Sequence, residues 1–434
     1  AKYLSSSSAV SSSSAKCSSS NVASSSSAES SSSSAVNNPP VIKDQSFAVP
    51  ETTSVGTVIA TIAAYDAEGS ALTWNVLGAS DKSVFSVGRS DGTLTLAAAL
   101  DYETTRSYTL KVQVRDAGTP IKADTATVKI TVTDQNEPPQ AKDDTLYVTQ
   151  GSFARYIQNG IPLCSLSVSD EDASDASKIF EYTLVDGNAG GYFSLDEAQG
   201  IISPKLTPGT GDYPLRVKVT DAGGLSDTAT VLFHIISDTF LDSRNNQTYK
   251  RVSIGRQVWM GENLNYKTDS SWCLHNTASN CDTYGRLYQW HAAMAIDVMY
   301  DSTLWGGSDV NYQGVCPSGW HLPSDGEWYI LSGYVDANNG DEDIGYSLES
   351  INEWNDKNIS DLFGFSVLPV AAYNGLYGYD DGHYPRAHFW GSSNSSDYNG
   401  TQAIQRGFMS SGYFWASWDN KTDGYSIRCI QDTK

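Results

Sequence analysis

The 434-residue chain is short of charge. Only 18% of its residues are Asp, Glu, Lys or Arg, and only 28 of those are basic against 50 acidic, for a formal net charge of −22. So few cations argue against nucleic acid as a partner, because neutralising phosphates needs clustered Lys and Arg. No apolar run approaches the ~20 residues that a membrane-spanning helix requires. No charged-then-apolar leader opens the chain, so from Ala1 it reads as a mature or trimmed product. Cysteine is sparse too, with 6 in all, and no Cys-x-x-Cys pair or matching His pair exists to hold zinc.

What cysteine there is has an informative placement. Cys273 and Cys281 are eight positions apart around an Asn-rich stretch, the spacing of a bridge that closes a surface loop. Cys316 and Cys429 are the remaining two in the last third of the chain. Two bridges there fit an oxidising compartment; the alternative is four inert thiols. Cys17 stands alone in a serine tract, and Cys164 lies in a strand-like run, neither with an evident role.

Residues 1–36 form a Ser- and Ala-rich tract that cannot bury enough apolar surface to offset its ordering entropy, and read as a tether. Its hydroxyls are also candidates for O-linked sugars. Asn37-Asn38-Pro39-Pro40 ends the tract, and residues 37–137 then alternate apolar and polar in short runs separated by turns such as Asp91-Gly92. That pattern predicts an all-β sandwich. Glu137-Pro138-Pro139 repeats the punctuation, and a second set of strands fills 138–237. The repeat is internal: Val114-Arg115-Asp116-Ala117-Gly118 recurs as Val219-Thr220-Asp221-Ala222-Gly223, and Thr125-Ala126-Thr127-Val128 as Thr228-Ala229-Thr230-Val231.

The first copy resembles a bacterial cadherin domain, through Pro50-Glu51, Asp66-Ala67-Glu68-Gly69, Leu100-Asp101-Tyr102-Glu103, Val114-Arg115-Asp116 and Thr133-Asp134-Gln135-Asn136-Glu137-Pro138. The resemblance implies Ca²⁺ held between consecutive domains. The candidate ligands it gives are Glu51, Asp101, Glu103, Asp134, Asn136 and Glu137, with Asp170, Asp172 and Asp221 from the second copy. Converging carboxylates need a divalent ion to offset their repulsion, and Ca²⁺ takes such oxygens. The second copy departs from the pattern, with Thr149-Gln150 for Pro-Glu and Leu206-Thr207-Pro208-Gly209 for Leu-Asp-x-Glu, so an equivalent site at its far end is not expected.

Residues 238–434 change character, holding ten of the eleven Trp. Gln257–Asn263 reads as extended, Arg286–Asp297 and Asp325–Tyr334 as helical, the latter with Ser324 and Glu327 as a capping box; Tyr373–His383 reads as loop. The segments Gly255-Arg256-Gln257-Val258-Trp259-Met260-Gly261-Glu262-Asn263-Leu264, Tyr284-Gly285-Arg286-Leu287-Tyr288, Cys316-Pro317-Ser318-Gly319-Trp320-His321-Leu322-Pro323 and Gly424-Tyr425-Ser426-Ile427-Arg428-Cys429 resemble the Fibrobacter succinogenes major paralogous domain. The resemblance implies an extracellular bacterial protein and an irregular α+β fold like that of C-type lectins or formylglycine-generating enzymes. It implies no settled activity.

The expected architecture is thus a tether, two tandem cadherin- or immunoglobulin-like sandwiches and an α+β domain. Catalysis is not expected. An oxidase of the formylglycine type needs reactive thiols. Only Cys316 and Cys429 offer themselves, in segments that read as structural closure, while His321 reads as a buried, hydrogen-bonded histidine. The favoured function is a secreted bacterial surface protein, adhesive or structural, which associates with itself or another surface protein and serves as a subunit of a polymer. In that case residues before Asn37 would lie against a neighbouring subunit, as a donor for an exposed sheet edge. The alternative is a carbohydrate-binding module, with Trp415, Trp418, Asp419, Asn420, Tyr377 and Tyr379 on loops as the platform, since aromatic faces stack on sugar rings.

Overall fold

The computed structural model describes residues 36–172, 179–340, 342–354, 356–370, 372–374, 378–380, 385–394 and 400–432. The serine tract, Cys17 and Tyr377 lie outside them, as do the expectations attached to them. The chain divides into two compact units, one ending at Asp134 and one starting at Gln135.

The first unit is a sandwich. Gln45–Pro50, Ala123–Thr133, Ser107–Arg115 and Thr73–Ala79 form a four-stranded sheet in that order, faced by Val58–Thr61, Thr93–Leu96 and Phe85–Val87. The period-two pattern has its expected consequence: along Ser107–Arg115, Tyr108, Leu110, Val112 and Val114 are buried and the residues between them point outward. Gln45–Pro50 runs parallel to the last strand, with Gln45 opposite Val128.

The second sandwich repeats this plan within the second unit. Asp144–Thr149 runs parallel to Ser226–Ile236, which pairs antiparallel with Gly211–Thr220, and a three-stranded sheet of Cys164–Ser165, Ile201–Pro204 and Phe193–Leu195 faces them. It departs from the first copy where the sequence did. After Thr149, in place of the turn at Glu51, the chain enters a helix, Gln150–Asn159. The Thr149 hydroxyl caps it by accepting from Ser152 N, and Gly160 closes it in the left-handed conformation at φ 68°. Ser152, Phe153 and Tyr156 fall on one buried face.

That helix joins the second sandwich to the remainder of the unit. Ser253, fully buried, donates from its N–H to Ser152 Oγ at 3.0 Å, accepts from Thr149 N at Oγ at 3.0 Å, and accepts from the Tyr156 hydroxyl at its carbonyl at 2.9 Å. One apolar core runs from Leu146, Phe193 and Phe233 of the sandwich to Trp259, Trp328, Phe363 and Phe389 beyond it. The structure is mostly β, two cadherin-like sandwiches followed by a region that mixes strands with short helices.

In that region Thr239–Asp242, Gln247–Ile254, Gln257–Met260, Ile430–Gln431 and Trp320–His321 form a five-stranded sheet, and Arg386–Asn394, Gln402–Met409 and Tyr413–Asn420 a three-stranded one. The longest helix, Asp325–Asn338, begins with the anticipated capping box of Ser324 and Glu327. Trp259, Trp290, Trp320, Trp328, Trp354 and Trp390 are buried, so six of the ten tryptophans fill the core. Both expected disulfides are present, Cys273–Cys281 and Cys316–Cys429.

Three local expectations need correction. Arg286–Asp297 is helical only over Trp290–Met294, because Leu287–Tyr288 pairs with Ser271–Trp272 and Tyr288 exchanges backbone bonds with Tyr425. Within Tyr373–His383, Ala372–Asn374 and Gly378–Asp380 pair as antiparallel strands, with Tyr373 opposite Tyr379. Trp415, Trp418, Asp419 and Asn420 sit not on a loop but on the strand Tyr413–Asn420, which pairs with Gln402–Met409.

The Cys316–Cys429 bridge closes a loop of 113 residues and Cys273–Cys281 one of 8. By the chain-entropy relation they stabilise by about 5 and about 2.5 kcal/mol. Denaturant unfolding of Cys316→Ser/Cys429→Ser should therefore show roughly twice the loss seen for Cys273→Ser/Cys281→Ser.

Candidate functional site

The candidate ligands gather at the ends of strands. In the first unit Glu51 follows the strand Gln45–Pro50, and its N–H donates to Thr133 O at 3.3 Å, beside the exit of the last strand. Its carboxylate accepts from Tyr102 N at 2.6 Å, which draws the turn Leu100–Glu103 to the same rim. Asp101 is spent on that turn: it accepts from Thr104 N at 2.7 Å and from the Thr104 hydroxyl at 2.8 Å, bonds that hold its carboxyl below the usual range. Glu51 and Glu103 offer carboxylate oxygens within 4.8 Å of one another, and so do Glu103 and Asp134. Three carboxylates thus crowd one rim, an arrangement that like-charge repulsion disfavours without a cation.

The second unit has a matching set at its beginning. Glu137 N donates to Asp172 Oδ2 at 2.6 Å, Asp172 N to Asp170 Oδ1 at 3.1 Å, and the Asn136 amide to Asp221 Oδ2 at 2.9 Å. These bonds orient the carboxylates, and every donor in both sets is a hard oxygen, the chemistry of Ca²⁺ or Mg²⁺ rather than of a transition metal. The first unit carries the same device at its own start, where the Asn37 amide donates to Asp116 Oδ2 at 2.8 Å and Asn38 N to Glu68 Oε2 at 3.3 Å. Burial pushes the Asp116 carboxyl up, but the N–H groups of Lys122 and Gly118 and the Asn37 amide outweigh it and leave it lowered.

The aromatic candidates do not form one surface. Along an extended strand side chains alternate, so Trp415 and Trp418, three apart, point to opposite faces. Trp415 stacks with Tyr413 at 5.7 Å and meets His388 edge-on, whereas Trp418 is 40% exposed on the other side. Asp419 accepts from the Tyr425 hydroxyl at 2.9 Å, and Asn420 ends the strand.

The residues weighed for catalysis have structural partners. Cys316 and Cys429 are bonded to each other and fully buried, so neither is a thiol. His321 is buried between Glu327 Oε1 at 2.7 Å and Asp432 Oδ1 at 2.5 Å. Burial alone would lower its pKa; the two carboxylates outweigh this and raise it. Cys164 remains a free thiol, which burial pushes up to about 12, out of the reactive range.

Three comparisons with known proteins bear on these features. Residues 45–133 match the profile of the cadherin domain, so the first sandwich is cadherin-like. Residues 252–431 match the Fibrobacter succinogenes major domain. The chain is similar to human protocadherin Fat 1, 30% identical over 174 residues, or 38% of this chain and 4% of that protein. It is also similar to human protocadherin gamma-C3, 31% identical over 214 residues, or 46% of this chain and 22% of that protein. It therefore spans less than a quarter of either relative. Among solved structures, protocadherin gammaB7 EC3-6, titled a cis-dimer, matches at TM-score 0.37 and 22% identity, over 46% of this chain and 51% of that one.

One buried group escaped the sequence reading. Glu349 is fully buried, neither of its carboxylate oxygens has a hydrogen-bond partner among the described residues, and burial together with nearby Asp356 pushes it up to about 8. No local motif marks it; only the short helix Ile344–Leu348 and the bridge from Glu349 to Val367 carry it inside. Folded Glu349 keeps its proton where the unfolded chain, with an ordinary value of 4.5, has lost it. The unfolded state binds fewer protons in that window, so stability falls as pH rises, by up to about 1.4 kcal/mol per pH unit between those limits, and levels off above the upper one. His321, with its raised value, adds a fall of the same sign. Glu349→Gln should flatten the Glu349 part of the slope, seen by comparing denaturant midpoints of the two proteins from pH 5 to pH 8.

Proposed function

We propose that this chain is an extracellular bacterial surface protein, adhesive or structural, whose paired cadherin-like repeats serve as a calcium-stiffened spacer presenting the C-terminal domain. One observation supports this most: Glu103 brings a carboxylate oxygen within 4.8 Å of one on Glu51 and of one on Asp134 at the exit of the first repeat. Asp134 is followed after two residues by Glu137, whose N–H holds Asp172. Three residue steps span at most about 11 Å, a length compatible with both oxygen sets contributing to one ion or a small cluster of ions. When bound, Ca²⁺ would supply positive charge and a shared coordination shell; Glu51, Glu103, Asp134, Asp170 and Asp172 would be its anchors, and Asn136 and Asp221 its orienting partners.

Stiffening follows from charge. Without the ion, carboxylates on both sides of Gln135 repel and favour separation of the rims; with it, they are drawn to common points. The two disulfides suit an oxidising, extracellular setting. Self-association or another surface protein is the partner this reading names, through open sheet edges such as Thr73–Ala79, which pairs on one side only. Turnover of a substrate has no part in it. No helix among the described residues is long and apolar enough to cross a membrane.

Calorimetric titration of the full chain with Ca²⁺ should show saturable binding. At a hundredfold excess over the dissociation constant the ion should stabilise by about 2.7 kcal/mol. Asp134→Asn and Asp172→Asn should each weaken binding at least tenfold. No heat, and melting indifferent to Ca²⁺, would contradict the reading.

A further inference from the structure

The matched C-terminal domain contains a cavity of about 390 Å³, within the range that small-molecule sites occupy. It opens between the strand Gln247–Ile254, the segment after Met260 and the helix Ala278–Tyr284. None of the acidic-rim residues lines it, nor does Trp415 or Trp418.

The floor is rigid and polar. Arg428 is fully buried, and its guanidinium donates to Asn263 Oδ1 at 2.7 Å, to Ser366 O at 3.0 Å, to Met260 O at 3.2 Å and to Phe365 O. Phe365 and Phe389 flank its plane. Asn263 spends its amide N–H groups on Tyr284 O and Ser426 Oγ, so its orientation is fixed. Gly285, at φ 71°, abuts Asn263 so closely that a Cβ would come within 2.7 Å of the Asn263 Cβ; only glycine fits. The Cys273–Cys281 bridge anchors the helix that forms the opposite wall.

Above this floor the walls hold polar groups with unused capacity. Asn265 is fixed by its backbone N–H, which donates to the Tyr249 hydroxyl at 2.9 Å, while its side-chain amide makes no hydrogen bond to other described residues. The Asp282 carboxylate likewise accepts none. Lys250 and Glu262 form an ion pair at 3.5 Å across the rim. The lining cations, Lys250 and Arg428, balance the lining anions, Glu262 and Asp282, in number. A preformed polar cavity without net charge, offering an amide and a carboxylate that are free to exchange hydrogen bonds, selects a neutral, hydroxyl-rich ligand.

We infer that this cavity binds a neutral sugar, either a single ring or the end of a glycan chain, with Asn265 and Asp282 contacting its hydroxyls. The site goes beyond the calcium-stiffened spacer and does not depend on it, because the contacts come from the protein and need no metal.

The test is saturation-transfer NMR on the full chain in EDTA, with methyl glycosides of glucose, galactose, mannose, xylose and N-acetylglucosamine and short oligosaccharides of each. At least one should bind at about 10 mM or below. Asn265→Ala and Asp282→Ala, both at the cavity wall, should each weaken that binding at least tenfold with unchanged melting, and Trp418→Ala should leave it intact. Silence across the panel overturns the inference. So does binding that survives both cavity variants, or a preference for a uronate such as glucuronate over every neutral sugar. Because EDTA is present throughout, failure here is separable from failure of the calcium reading.

Discussion

Like charges forced together set the terms for this molecule. Three carboxylates converge where the first sandwich ends, and backbone N–H groups hold Asp170 and Asp172 where the second begins. At a few ångströms their repulsion is worth about 4 kcal/mol per pair at an effective dielectric of 20. In the proposed reading a bound cation removes that cost. The hydrogen bonds are arranged accordingly: Tyr102 N orients Glu51, and Thr104 keeps Asp101 ionised.

The far end of the second sandwich solves a different problem. There the turn that would have carried an acidic ligand is replaced by the helix Gln150–Asn159, which together with its N-cap Thr149 meets Ser253 through three hydrogen bonds and shares a core with Trp259 and Trp328. An interface held by apolar burial and these hydrogen bonds needs no ion. In the proposed reading the two ends of this sandwich differ in kind, one held through carboxylates and a cation, the other packed. That difference accounts for why Thr149-Gln150 stands where Pro-Glu stood in the first copy.

Much of this was legible in the residues. Alternation located the strands of both sandwiches, because one buried face imposes period two. Ser324 and Glu327 announced their helix, because a capping box acts through bonds three residues apart. Cysteine spacing pointed to both bridges. Features set by distant partners were not legible. Leu287–Tyr288 became a strand because Ser271–Trp272 and Tyr425 pair with it, and Trp415 and Trp418 were separated onto opposite faces by pairing with Gln402–Met409. The helix at Gln150 left only a Thr N-cap and Gly160 as signals, inside a stretch that otherwise read as sandwich. Buried Glu349 and the polar cavity over Arg428 arise from tertiary packing, for which no short motif exists.

The central claim is that the joint after Asp134 is rigid with calcium and loose without it. Spin labels placed one in each unit, on the exposed positions Lys111 and Arg216, report it directly through double electron–electron resonance. The account predicts a narrow distance distribution in Ca²⁺ that broadens in EDTA and narrows again on adding the ion back. A distribution of equal width in both conditions would contradict it.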